Sequence, residues 1–100
     1  MHFLRTIFLE GEQMRLKEGF ILRKVAGDYV VVPSGNAMID FKAMISLNET
    51  GAFLWEALKN EQTEDGLVSA LLGEYDVDEA TAREDVGEFV NLLKEKDLLV

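Results

Sequence analysis

One hundred residues give room for one domain around one core. With 48% hydrophobic and 29% charged residues, one proline and no apolar run of about 20 residues, the chain reads as globular, which excludes disordered, collagen-like and membrane-spanning classes. The net charge of −9 is uneven: residues 14–47 hold five basic and three acidic side chains, whereas residues 48–100 hold four basic and fourteen acidic ones. A duplex binder displaces counterions with cations, and a strongly negative half repels phosphate, so nucleic acid is disfavoured as a partner.

The chemical inventory is equally restrictive. There is no cysteine, which removes disulfides, thiolate nucleophiles and cysteine-ligated metals. The single histidine is His2, so no internal imidazole exists for a triad or a metal site. No cofactor is called for, and the composition argues against an enzyme.

In chain order, residues 1–13 (MHFLRTIFLEGEQ) carry apolar side chains interrupted by Arg5 and Glu10, and lack the cleavage site and long apolar stretch of a secretory signal. The cytoplasm is the expected compartment. Met14 opens a segment that reads as a natural start, so residues 1–13 are expected to be an upstream extension, disordered or forming an extra strand.

Phe20–Val25 and residues 29–33 are β-rich runs separated by Ala26, Gly27 and Asp28, a turn in which glycine supplies the positive φ of a tight hairpin. Residues 39–47 alternate, with Ile39, Phe41, Ala43, Ile45 and Leu47 on one face and Asp40, Lys42, Met44 and Ser46 on the other. That period of two predicts a half-buried third strand. The period then changes to helical. Asn48, Thr63 and Asp78 are placed to cap three helices, running from Glu49 to about Lys59, onward from Thr63, and from Glu79 to about Lys96. Their apolar stripes are Gly51, Leu54, Trp55 and Leu58; Leu67, Val68, Leu71, Leu72 and Tyr75; and Ala82, Val86, Phe89, Val90 and Leu93. Gly51, in the first turn of a helix, implies close packing of that helix on the sheet. The order β-β-β-α-α-α predicts an α+β domain, a three-stranded antiparallel sheet followed by three helices.

Few residues present themselves for chemistry. The acidic pairs lie at helix starts and on polar faces, where a solvated, cap-favouring role is the simpler reading than acid–base catalysis. No glycine pattern forms a phosphate loop, and residues 76–79 lack the remainder of a calcium-binding loop. The third strand is more informative. In a three-stranded meander two strands are edges, and no proline blocks this one. An open edge can take up an extended peptide, with backbone hydrogen bonds giving affinity and alternate side-chain pockets giving selectivity. The third helix, with Gly87 beside Val86 and Val90, is placed to wall such a groove, and a helix-interior glycine hints at close approach. An ordinary edge strand and an ordinary core helix are the alternative.

Residues 14–100 resemble the PqqD family, named after a protein of pyrroloquinoline quinone biosynthesis. The resemblance rests on LKEGF at 16–20, YVVVP at 29–33, LNETG at 47–51 followed by Leu54-Trp55, YDVDE at 75–79, Asp85-Val86 and LLKEKDLL at 92–99. It implies a winged-helix-like domain that acts as a RiPP recognition element. Such a domain is a non-catalytic peptide chaperone that binds the leader of a ribosomally synthesised, post-translationally modified precursor peptide and presents it to a modifying enzyme, often a radical SAM enzyme, in natural product biosynthesis. It further implies that the leader adds to the third strand along Asp40, Phe41, Lys42, Ala43, Met44 and Ile45, with Phe41, Ala43 and Ile45 as pocket side chains. Arg83, Val86, Gly87 and Val90 would form the helical wall. LNETG belongs to the broad family more than to the quinone-pathway proteins, so the resemblance does not imply quinone synthesis. Two other classes stay open: a winged-helix nucleic-acid binder, against which the acidic third helix counts, and a structural subunit that forms a homodimer by strand exchange.

Overall fold

In a computed structural model of the chain, residues 13–34 and 45–100 are described. Strands β1 (Phe20–Val25), β2 (Asp28–Pro33) and β3 (Ile45–Leu47) precede helices α1 (Glu49–Ala57), α2 (Glu64–Glu74) and α3 (Glu79–Glu95). The sheet is antiparallel in the order β1-β2-β3. The expected α+β class and the winged-helix-like order of three strands and three helices are therefore observed. Of the expected strand over residues 39–47, positions 39–44 lie outside the described residues, as do residues 1–12.

The hairpin is tighter than the sequence implies. Val25 pairs directly with Asp28, leaving only Ala26 and Gly27 in the turn, at φ 52° and 89°. Positive φ at both central residues is the pattern of a type I′ turn, whose twist matches that of the flanking strands. Asp28 thus belongs to β2 instead of the turn.

All three helix starts are capped by the residues expected. The side chains of Asn48, Thr63 and Asp78 accept hydrogen bonds from the amides of Gly51 (2.7 Å), Gly66 (2.9 Å) and Thr81 (2.8 Å). Each satisfies a donor that the helix itself leaves without a partner. The Asp78 carboxyl is held below its ordinary range chiefly by that backbone bond from Thr81, with the threonine hydroxyl adding to it.

One core joins these elements. Val31, Ile45 and Leu47 from the sheet meet Leu54, Trp55 and Leu58 of α1 and its end, Leu67, Val68 and Leu71 of α2, and the stripe Ala82, Val86, Phe89, Val90 and Leu93 of α3. Trp55 is core. Leu72, expected in the α2 stripe, is instead exposed. The close approach at Gly51 is real: a Cβ there would meet Leu47 at 3.3 Å and the Asn48 side chain at 3.2 Å. At Gly87 it is not, since a Cβ would meet nothing within 4 Å.

A strap closes the domain. Met14 exchanges backbone hydrogen bonds with Gln62 (2.6 and 3.0 Å), Lys17 donates its amide to Leu98 and Val100 donates to Arg15, both at 2.8 Å. Met14 and Leu98 are buried. The segment beginning at Met14 is thus built into the domain between the α1–α2 loop and the last residues.

Two outcomes follow from these contacts. Gly87→Ala, with open space at Cβ in a helix interior, should stabilise the protein by about 0.4–1 kcal/mol in urea unfolding; a loss of stability would mean that a neighbour crowds the site. The second concerns Asp78. Its carboxyl ionises more readily in the folded chain, so its contribution is complete above the ordinary aspartate pKa of about 3.9 and fades as pH falls through the lower folded-state value. Asp78→Asn, which can still cap, should keep stability near neutral pH and flatten the acid limb of a Tm-against-pH curve. An unchanged acid limb would assign that limb to other carboxylates.

Candidate functional site

The site begins with the corner between β3 and α1. Leu47 ends the strand, Asn48 caps the helix, and α1 starts at Glu49, so the chain turns within one residue. Gly51 lets the first turn of α1 press against Leu47. This corner and the outer side of α3 face each other across an open cleft, lined on one side by Ser46, Leu47, Asn48, Thr50 and Gly51 and on the other by Asp85, Glu88, Phe89 and Leu92, with Leu54 at its base.

The strand wall has backbone groups that no strand pairs with among the described residues. Ser34 donates its amide to Gly19 (2.7 Å), which makes Gly19 and Ser34 a hydrogen-bonded pair. Along an antiparallel ladder such pairs alternate with non-bonded ones. Val30 therefore turns its peptide groups to β1, while Val31 and Tyr29 turn theirs to Ile45 and Leu47. Ser46, opposite Val30, points its N–H and C=O away from β2. No strand pairs with that edge among the described residues.

The helix wall is a stripe at i, i+3, i+4 and i+7. Asp85, Glu88, Phe89 and Leu92 lie about a quarter-turn round α3 from the core stripe, sharing only Phe89 with it. The cleft is thus apolar at its base and acidic at its rim. Asp85 is half-buried and Glu88 exposed, and neither has an ion-pair partner among the described residues.

The residues expected from sequence fall in different places. Asp40, Phe41, Lys42, Ala43 and Met44 lie outside the described residues. Ile45 is in β3 with its side chain in the core, 4% exposed. Val86 and Val90 are also core, at 0% and 2% exposure, in the cluster that joins α3 to the sheet and the other helices. Gly87 and Arg83 sit on the far side of α3. Arg83 is committed there, donating to Asp65 of α2 and Glu79 one turn earlier, both at 2.9 Å. Those hydrogen bonds, that to Asp65 first, hold its guanidinium above the usual arginine value.

The cleft is also lined by Asp85, Glu88 and Leu92, which the sequence reading did not place in the groove. The signal was present: a second stripe at helical spacing beside the core stripe, overlapping it at Phe89. Among the described residues, no three histidine, cysteine or acidic side chains come together to hold a metal ion, and no helix is long and apolar enough to cross a membrane.

A family model described as coenzyme PQQ synthesis protein D (PqqD) matches residues 28–99. No curated protein matches the chain. Two solved structures are similar to it at 21% identity and a TM-score of 0.66. One is "TbiB1 in Complex with the TbiA(beta) Leader Peptide", where the match covers 85% of this chain and 93% of that one. The other is "Lasso peptide synthetase B1 complexed with the leader peptide", covering 89% of this chain and 99% of that one. At that identity the likeness establishes a shared fold. The family match is the stronger finding, because it runs from the first residue of β2 through both walls of the cleft to Leu99. On that match, the chain belongs to the PqqD family.

Proposed function

We propose that the chain is a non-catalytic adaptor that binds the leader of a ribosomally made precursor peptide along the open edge of β3, in the cleft facing α3, and presents it to a modifying enzyme. The observation that carries the reading is the outward-facing amide and carbonyl of Ser46 at the mouth of a cleft with an apolar base. An extended peptide satisfies such groups by strand addition and seats alternate side chains against the wall. Family membership supports the same reading, as does the likeness to two proteins whose structures contain leader peptides.

In this reading Asp40, Phe41, Lys42, Ala43, Met44 and Ile45 continue the pairing edge. Ser46, Phe89 and Leu92 supply contacts at its described end. Val86 and Val90 act by holding α3 at the right distance. The adaptor works in the cytoplasm beside its enzyme, for which the family resemblance suggests the radical SAM class.

The energetics suit presentation. Each backbone hydrogen bond contributes a net of about 0.5–1.5 kcal/mol, so a few such bonds plus two or three apolar side chains give an affinity around micromolar. Holding the leader then converts capture of the core peptide by the enzyme into a local event at an effective concentration of about millimolar. Dimerisation through the β3 edge would compete for the same groups. The acidic rim of α3 disfavours the nucleic-acid alternative.

Fluorescence anisotropy with the labelled leader of the short peptide encoded beside the gene, and a scrambled control, tests the proposal. Ser46→Pro removes one outward-facing donor at an edge position where proline is tolerated. It should leave the circular dichroism spectrum intact and weaken leader binding about tenfold. Leu92→Ala should weaken it without touching the strand. Unchanged affinity in both variants, with the wild type binding, would move the site elsewhere; no sequence-dependent binding by a monomeric wild type would sink the function.

A further inference from the structure

The rim of the cleft is acidic. Two carboxylates, Asp85 and Glu88, line the same cleft as Ser46, whose peptide groups point away from β2. Neither is ion-paired among the described residues, although every described arginine or lysine that pairs does so elsewhere: Arg83 with Asp65 and Glu79, Lys59 with Glu56, and Lys17 with Asp97. Arg83, the nearest basic residue on α3, lies on the opposite side of the helix and is held there by two carboxylates. The chain around the cleft adds to the same field, since residues 48–100 hold fourteen acidic and four basic side chains. A strand laid beside β3 alternates its side chains, so every second one on a single face reaches towards α3. An acidic side chain there would meet two like charges across a partly desolvated gap, an arrangement that costs binding. A basic one would find two carboxylates that pair with no cation among the described residues.

We propose that the leader recognised by this protein carries a lysine or arginine at a position flanking the one opposite Ser46, on the face of the added strand shared with Ile45 and Leu47, and that Asp85 and Glu88 select for it. The inference rests on the leader-binding reading above and specifies the chemistry of that ligand. Seating the cation between two carboxylates fixes the register of the added strand as well as its charge, because a slip by one residue turns the basic side chain to the other face. The negative field also speeds the encounter with a cationic peptide, an effect that added salt removes.

The test uses the labelled leader of the short peptide encoded beside the gene, and the same leader with every lysine and arginine replaced by glutamine. Each is titrated by anisotropy into wild type, Asp85→Asn, Glu88→Gln and the double variant. The native leader should bind the double variant about three- to tenfold more weakly than wild type, and the neutral leader should bind both proteins alike at the weaker affinity. Equal binding of native and neutral leaders by the wild type would overturn the charge selection while leaving leader binding intact. A native leader without lysine or arginine that binds tightly would do the same. Lys42→Gln is measured alongside, because Lys42 belongs to the third strand that the sequence predicts over residues 39–47. A charge dependence that vanishes with Lys42 would assign the two acids to the chain's own strand and overturn the proposal. Absence of binding by either leader would overturn this inference and the leader-binding reading together.

Discussion

The junction at Leu47, Asn48 and Gly51 sets the geometry on which the cleft depends. A strand and a helix joined by one residue have little freedom in their relative direction, and here three contacts remove what remains. The Asn48 side chain binds the Gly51 amide, the missing Cβ at Gly51 admits Leu47, and Leu47 itself is anchored in the core. A larger residue at position 51 would push α1 away from the strand by a few tenths of an ångström. Because Val86, Phe89, Val90 and Leu93 of α3 share one core with α1 and the sheet, the spacing between β3 and α3 is coupled to that shift. The same amide that completes a cap also sets the width of the cleft.

The division of labour within α3 follows from that geometry. One face, from Ala82 to Leu93, is buried and contributes stability; an adjoining face holds Asp85, Glu88 and Leu92 and lines the cleft; the far side carries Arg83 and Gly87. Arg83 is tied to α2 through exposed carboxylates, which contribute little to stability individually but keep the cation away from the cleft. The result is a wall whose charge comes from acids alone. Strand β1 carries Arg23 and Lys24 by contrast.

The strap formed by Met14, Arg15 and Lys17 gives the small domain a closure that the three-stranded sheet lacks. It ties the α1–α2 loop to the last residues with backbone hydrogen bonds, and it buries Met14 and Leu98 where they would otherwise leave the ends of the core open. None of its contacts is local in sequence. Leu16 pairs with Leu99 and Met14 with Gln62.

Much of this architecture was legible in the amino-acid order because it depends on local rules. Caps at Asn48, Thr63 and Asp78 need only a short polar side chain three residues before an orphan amide, and the switch from period two to period 3.6 at Leu47 marks the change from strand to helix. Family motifs distributed over residues 14–100 carried the identity. Sequence alone did not distinguish Asp85, Glu88 and Leu92 from ordinary surface residues, nor reveal that Val86 and Val90 are core residues instead of cleft lining. Adjacent stripes on one helix differ by about a quarter-turn, and periodicity says which residues share a face without saying what that face meets. Nor could it show that Gly87 has open space where Gly51 has a neighbour, or that Arg83 is already occupied. Those outcomes depend on where α2 and the β3–α1 corner sit around α3, and contacts between residues far apart in sequence decide that placement.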